Sequence, residues 1–343
     1  MTIIYFILVL GIIILIHEFG HFIFAKKAGI YVYEFSLGMG PRIFKFKRKN
    51  DETEYSIRAF PIGGYVSMAG EDVKVDEKID ISKHLQSKTW LQRFLVVIAG
   101  VMMNFILAIT LLFIYGIINS PDTNEAIISE LESLSPFNEY DIKENDKIIE
   151  INGSNTKSLD MFLLEYQIAL NGKSVEFTIL KENNEVKKIN VLPYKNEKDK
   201  YTFGFKLKRK IETGIFSYIK YAFVRLFGLI NQVLHTLFYL IIGKLSIKNI
   251  SGPIGIYSIV GEAARTGFVN IMYLTALLSL NVGIINLLPL PAFDGGRLFF
   301  MIIEKIIRKP IKPEIENRIH SVGMVLLIIL MLIICFNDII KLV

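Results

Sequence analysis

Long apolar runs alternate with charged stretches along this 343-residue chain, and the alternation predicts its elements. A helix that crosses a bilayer needs about 20 mostly apolar residues. Ile3–Ala25 is the first such run, and Phe94–Ile118 is the second, ending before Ser120-Pro121. A third extends from about Phe268 to Leu290 and is stopped by Pro289 and Pro291. A fourth covers Val322–Phe336, extended by Ile339-Ile340. Ile215–Ile242 is also apolar, but Lys220, Arg225 and His235 interrupt it, so it either crosses the membrane or lies on it. The first run has no basic residue before it and no small-residue cleavage site after it. It reads as a retained helix rather than a signal peptide.

Period-two patterning appears between the apolar runs. Arg42–Arg48, Asn50-Asp51-Glu52 and Tyr55–Ala59 read as a hairpin whose second arm alternates apolar and polar residues, with Pro61 and Gly63-Gly64 expected to end it. From Pro121 to about Phe205 the pattern is of short strands and turns. Asp146–Gly153 is a strand ending at Asn-Gly, and Leu159–Leu170 has helical spacing. Val175–Leu180 and Val186–Val191 are strands joined by a turn at Asn183-Asn184.

Composition narrows the class. Hydrophobic residues make up 52% of the chain while 21% is charged, which excludes a disordered chain. The single cysteine, Cys335, excludes an intramolecular disulfide and a cysteine-built structural zinc site. The net charge of +6 is modest and does not point to nucleic acid. Lys26, Lys27, Arg42, Lys45, Lys47, Arg48 and Lys49 follow the first run. Arg297, Lys305, Arg308, Lys309 and Lys312 lie between the third and fourth. Both loops read as cytoplasmic by the positive-inside rule.

His17-Glu18-Phe19-Gly20-His21 is an HExxH sequence inside the first apolar run. Residues i and i+4 share a helix face, so both imidazoles can reach one zinc ion, with Glu18 beside them to take a proton from water. Ionisable groups within a bilayer are costly and default to function. A catalytic zinc site needs a third protein ligand. Asp294, in Asn286-Leu-Leu-Pro-Leu-Pro-Ala-Phe-Asp294-Gly295-Gly296, is the best candidate, although Asp-Gly is also a common turn.

With these residues in hand, the chain resembles the site-2 proteases, most of all the bacterial RseP/RasP-type intramembrane zinc metalloproteases of the M50 type. The resemblance rests on HEFGH in a first membrane helix and on N-x-x-P-x-P-x-x-D-G near a later one. Phe60-Pro-Ile-Gly-Gly-Tyr-Val-Ser-Met-Ala-Gly-Glu71, Ser87–Arg93 leading into Ala99-Gly-Val-Met-Met-Asn104, and Ser251-Gly-Pro-Ile-Gly255 follow in the family's order. The chain departs from the usual pattern at Phe293, where Leu is commoner, and at Val101, where Pro is commoner.

The resemblance implies a zinc cofactor held by His17, His21 and Asp294, with Glu18 as general base. It implies that Asn104, Asn286, Pro289 and Pro291 hold the substrate. The loop at about 40–71, including Gly63, Gly64 and Tyr65, would be a membrane-associated β element near the active site, able to take an extended substrate strand on its edge. Residues 120–206 resemble one PDZ domain, with Ser135-Pro136 in place but without the usual glycines near Asp141–Asp146. Substrates would be single-span membrane proteins, such as anti-sigma factors already cut outside the membrane, or remnant signal peptides.

The expected fold is a polytopic α-helical membrane protein with four transmembrane helices, a β-hairpin loop and one extracytoplasmic PDZ-like α+β domain, in a bacterial cytoplasmic membrane. Its divisions are 1–119, 120–206, 207–260 and 261–343. Parity selects four spans. If Ile215–Ile242 crossed, the third span would run outward and carry Asp294 to the face opposite the histidines, roughly 20–30 Å away. That segment, with residues 207–260, is therefore expected to be an interfacial amphipathic helix and connector. Two other classes compete. A membrane-anchored PDZ adaptor would keep a non-catalytic metal site, and a zinc transporter would need metal ligands along a path.

Overall fold

A computed structural model describes residues 1–71, 78–119, 124–156, 158–196, 199–208, 213–246, 251–309, 311 and 313–342. Ser120-Pro121 and Lys312, which entered the sequence reading, lie outside the described residues. The chain divides into two compact units: Met1–Leu111 with Ile247–Val343, and Leu112–Ser246.

In the first unit, α1 (Thr2–Lys27) is apolar around its whole circumference, as a membrane helix is, and ends at Ala28 before the left-handed Gly29. A strand β1 (Val32–Lys47) and a strand β2 (Glu54–Met68) follow. Helix α2 (Trp90–Asn119) starts at a capping box. Thr89 Oγ1 accepts from Gln92 N at 3.3 Å, and Gln92 Oε1 accepts from Thr89 N at 3.1 Å.

The β element corrects the sequence reading. Its first arm begins at Val32 rather than Arg42, and its second passes through Pro61 and Gly63-Gly64 to Met68 instead of ending there. Glu34–Leu37 lies beside Gly64–Ser67 on one side and beside Glu54–Ile57 on the other. Two left-handed glycines, Gly38 (φ 88°) and Gly40 (φ 85°), let the first arm bend so that it is used twice. Polar–apolar alternation alone does not reveal such a fold-over, because the bend interrupts the period.

Helix α3 (Leu159–Ala169) and helix α4 (Ile215–Ile241) belong to the second unit. Back in the first unit, α5 (Pro253–Thr266) begins with Pro at its first turn, and Asp338 Oδ2 accepts from Gly255 N at 2.8 Å. Helix α6 (Phe268–Leu287) is followed by α7 (Asp294–Ile307) and α8 (Pro313–Leu342). The third apolar run was expected to reach Leu290, but α6 ends at Leu287. Leu288 precedes a proline and is extended (φ −62°, ψ 141°). Val9, Ile13 and Ile271 form one buried cluster, and Ala25, Ile30, Val32, Val66, Met68, Leu85 and Val96 form another. Most apolar side chains of α8 are exposed.

In the second unit, β4 (Lys147–Ile151), β5 (Ser154–Asn155), β6 (Val175–Leu180) and β7 (Val186–Val191) form a sheet in the order β5-β4-β6-β7. Strand β3 (Ile128–Leu131) pairs with β10 (Phe205–Leu207), and β8 (Tyr194–Lys195) with β9 (Tyr201–Thr202). Fully buried Phe137, Phe177 and Phe203 centre its core. Asp141 (φ 50°) and Asn145 (φ 75°) take the left-handed positions where glycines are missing. Helix α4 turns Arg225 inward, where its Nη1 pairs with Asp160 Oδ1 at 2.9 Å.

Five helices among the described residues are long and apolar enough to cross a membrane: α1, α2, α4, α6 and α8. Of these, α4 is the least apolar.

Candidate metal centre and active-site pocket

His17 and His21 stand one turn apart on α1 and are 8% and 9% exposed. Their Nε2 atoms are 3.3 Å apart. Asp294 Oδ2 lies 3.2 Å from His17 Nε2 and 3.3 Å from His21 Nε2. Three ligands held about 2.0–2.1 Å from one ion at tetrahedral angles stand about 3.3–3.4 Å from one another. The triangle therefore has the size of a tetrahedral zinc face.

The donor set fits as well. His21 Nδ1 lies 2.8 Å from the Val96 carbonyl, which can only accept, so Nδ1 carries the proton and the Nε2 lone pair points into the triangle. There it meets Asp294 Oδ2, which is buried without a hydrogen-bond donor. Two facing acceptors at 3.3 Å are reconciled by a cation between them.

Small residues make this approach possible. A Cβ on Gly20 would lie 2.4 Å from Ala99 O, so α1 and α2 touch backbone to backbone. A Cβ on Gly100 would lie 2.4 Å from His21 Nε2, so the imidazoles occupy the space that a side chain would fill. Asp294 is the first residue of α7, and beside it a Cβ on Gly295 would come within 2.2 Å of Leu288 O. The intervening loop holds Ala292 in a left-handed conformation (φ 73°), and Ala292 N donates to His320 Nδ1 at 2.9 Å.

Glu18, on the same helix, lines a cavity together with His17, His21 and Asp294. Of the residues assigned to substrate binding from the resemblance, Gly63, Gly64, Tyr65 and Asn286 also line it, but Asn104, Pro289 and Pro291 do not. Gly64 of β2 abuts α1: a Cβ there would lie 3.1 Å from Glu18 Cγ. Asn104 is fully buried, with its amide Nδ2 3.2 Å from His17 Nδ1. The structure therefore places Asn104 behind His17 and apart from the cavity wall that Gly63, Gly64, Tyr65 and Asn286 form.

Several contacts at the site were not foreseen from the sequence. Glu71 and Arg297, both lining the cavity, form an ion pair that ties the β element to α7. Tyr65 OH donates to Glu34 Oε2 at 2.7 Å. Glu34 also receives Arg42 at 2.8 Å, Arg58 at 2.9 Å and Ser56 at 2.5 Å. Burial pushes the Glu34 carboxyl up, but bonds from Ser56, Tyr65, Arg58 and Arg42 outweigh it and hold the group at about 2. His320 had a legible signal, as an ionisable residue at the start of an apolar run. Glu34 and Arg58 had none, because their meeting depends on the unforeseen bend.

The model of Peptidase family M50 matches residues 5–330. A protein named zinc metalloprotease RasP, from Oceanobacillus iheyensis, is 32% identical over 98% of this chain and 98% of its own length. The Bacillus subtilis protein named regulator of sigma-W protease RasP is 31% identical over 98% of both chains. A putative zinc metalloprotease of Clostridium perfringens is 37% identical over 99% of both. The chain belongs to peptidase family M50, among the RseP/RasP-like site-2 proteases. It is a membrane protein and a metalloendopeptidase, and its cofactor is zinc.

Proposed function

We propose that this intramembrane protease cuts the transmembrane segments of single-span proteins: anti-sigma-factor-like substrates after a first cut outside the membrane, or remnant signal peptides. The observation that carries the reading is the His17–His21–Asp294 triangle, lying with Glu18 in a cavity edged by Gly63-Gly64-Tyr65. The name of the Bacillus subtilis relative, regulator of sigma-W protease RasP, supports the first substrate class.

His17, His21 and Asp294 are the residues that would hold zinc. When bound, zinc supplies Lewis acidity, polarising a carbonyl and bringing the pKa of water toward neutrality. Glu18 accepts the proton of the attacking water and passes it to the leaving amine nitrogen. A helical substrate hides its carbonyls in its own hydrogen bonds, so cleavage requires local extension. Gly64–Met68 is paired on one side only among the described residues, and its free edge offers main-chain partners to an extended strand beside Glu18. Asn286 in the cavity wall is a further partner for the substrate backbone.

Topology supports four spans. His17 and His21 lie in the C-terminal half of α1, and Asp294 follows the C-terminal end of α6. Both helices then cross in the same direction, α2 returns, and α4 lies at the interface. The active site faces the cytoplasm. The small domain of 120–206, PDZ-like in its element order, is extracytoplasmic and acts by size exclusion against substrates that still carry a large outer domain.

The test is cleavage of a model transmembrane substrate in proteoliposomes. Activity should vanish on zinc chelation and return with zinc, and Asp294→Ala should lose both metal and activity. Full zinc retention by Asp294→Ala would remove Asp294 from the metal.

A further inference from the structure

The buried amide behind His17 extends the metal-site reading, on which it depends. His21 shows the principle. Its Nδ1 faces an obligate acceptor, Val96 O at 2.8 Å, and that contact fixes the tautomer whose Nε2 lone pair faces the triangle. His17 presents its Nε2 to the same triangle and needs the same tautomer, yet among the described residues its Nδ1 faces no carbonyl of the main chain. It faces the side-chain amide of Asn104 at 3.2 Å. An amide offers an oxygen at one end and an NH2 group at the other, and a half-turn about its last bond exchanges them. With NH2 toward His17, Nδ1 becomes an acceptor, the ring proton moves to Nε2, and the lone pair needed in the triangle is lost. Among the described residues nothing else holds the amide in that orientation, because Asn104 Oδ1 is buried without a partner there.

We propose that Asn104 is a positioning residue for the metal centre: its Oδ1 accepts from His17 Nδ1–H and fixes His17 as an Nε2 ligand. The surroundings are built for it. Ser279 Oγ donates to the Asn104 carbonyl at 2.9 Å and ties α2 to α6 at that turn. Opposite, Gly283 of α6 leaves room. A Cβ there would stand 3.5 Å from Asn104 Cβ and 2.9 Å from Phe105 Cε1. Gly100, one turn earlier on α2, makes space for the imidazoles. The two polar and small residues of Gly-Val-Met-Met-Asn104 thus serve the two histidines: one clears the volume and the other sets a proton. A fully buried amide is costly unless it is bonded, and the bond to His17 is what it gains.

The experiment measures zinc affinity by chelator competition on the detergent-solubilised full chain, as wild type, Asn104→Leu and Asn104→Asp. Thermal unfolding of the zinc-free proteins checks the fold. Leucine keeps the volume and removes the acceptor. Aspartate accepts from either oxygen and has no NH2 end. The expected result is a 10–100-fold loss for Asn104→Leu, the range found when groups bonded to metal ligands are removed. Asn104→Asp should keep wild-type affinity or bind more tightly. Wild-type affinity in Asn104→Leu would overturn the proposal, as would an equal loss in both variants. If Asn104→Leu does not fold, 15N NMR of histidine-labelled, zinc-free wild type decides which nitrogen of the neutral His17 ring carries the proton. A proton on His17 Nδ1 supports the assignment, and a proton on Nε2 overturns it. A wild type that binds no zinc at all would instead sink the metal site itself.

Discussion

Gly100→Ala separates the two things that α2 does at the site, because it should leave the fold alone while damaging the chemistry. The added methyl would lie 2.4 Å from His21 Nε2 and 2.8 Å from both His17 Cε1 and His21 Cε1. Ordinary contact begins near 3.4 Å, so the His21 ring must move by about 1 Å. The atoms displaced are the ends of side chains rather than backbone, so the helix crossing itself need not shift. Alanine is also the better helix former, by up to about 1 kcal/mol. Stability should therefore hold or rise slightly. Metal–ligand distances tolerate only about 0.2 Å, and a displacement of about 1 Å in a catalytic array costs on the order of 100-fold in rate, or about 2.7 kcal/mol of barrier. The assay pairs cleavage of a model transmembrane substrate with zinc content and thermal unfolding of the same preparation. The expected result is unchanged or higher thermal stability, reduced zinc and about 100-fold less product. Wild-type zinc with activity within about fivefold of wild type would refute the packing of the imidazoles over Gly100.

Three further outcomes are expected. His21→Ala should lose zinc, measured by elemental analysis against about one zinc per chain in the wild type. Glu34→Gln should flatten the acid dependence of stability. The Glu34 carboxyl sits at about 2 against an ordinary 4.5, so its contribution is full above about pH 4.5 and is lost as pH falls toward 2. That drop corresponds to about 3 kcal/mol, and thermal unfolding across that range in the wild type and the variant should show the difference disappear at the acid end. Deleting Thr123–Phe205 should allow an untrimmed substrate to be cut while leaving peptide-bond cleavage intact. If only the trimmed form is still cut, selectivity lies in the membrane helices or the Arg42–Glu71 loop.

The sequence made the helices legible because their signals are local. Apolar runs bounded by Ser120-Pro121, Pro289 and basic loops correspond closely to α1, α2 and α6, and the strands and helix of the small domain fall where alternation and Asn-Gly turns place them. His17 and His21 were legible as a pair because helical spacing fixes i and i+4 on one face. What escaped depends on contacts between distant segments. The bend at Gly38 and Gly40 is a backbone event within one strand, and it decides that Glu34 meets Arg42, Arg58 and Tyr65. Asn104 could be singled out by motif, but its role depends on which way it faces. In the fold it faces His17 and not the cavity. His320 joins the site only because α8 returns beside the Pro289–Pro291 loop.

Glu18 is proposed to perform base catalysis beside a zinc held by His17, His21 and Asp294. Glu18→Gln tests it most directly, because the amide preserves shape but cannot take a proton from water near neutral pH. Wild type and variant should be purified side by side, with zinc content and cleavage of one transmembrane substrate measured on the same samples. About one zinc per chain is expected in both, with product from the wild type alone. Near wild-type cleavage by the zinc-loaded variant would contradict it.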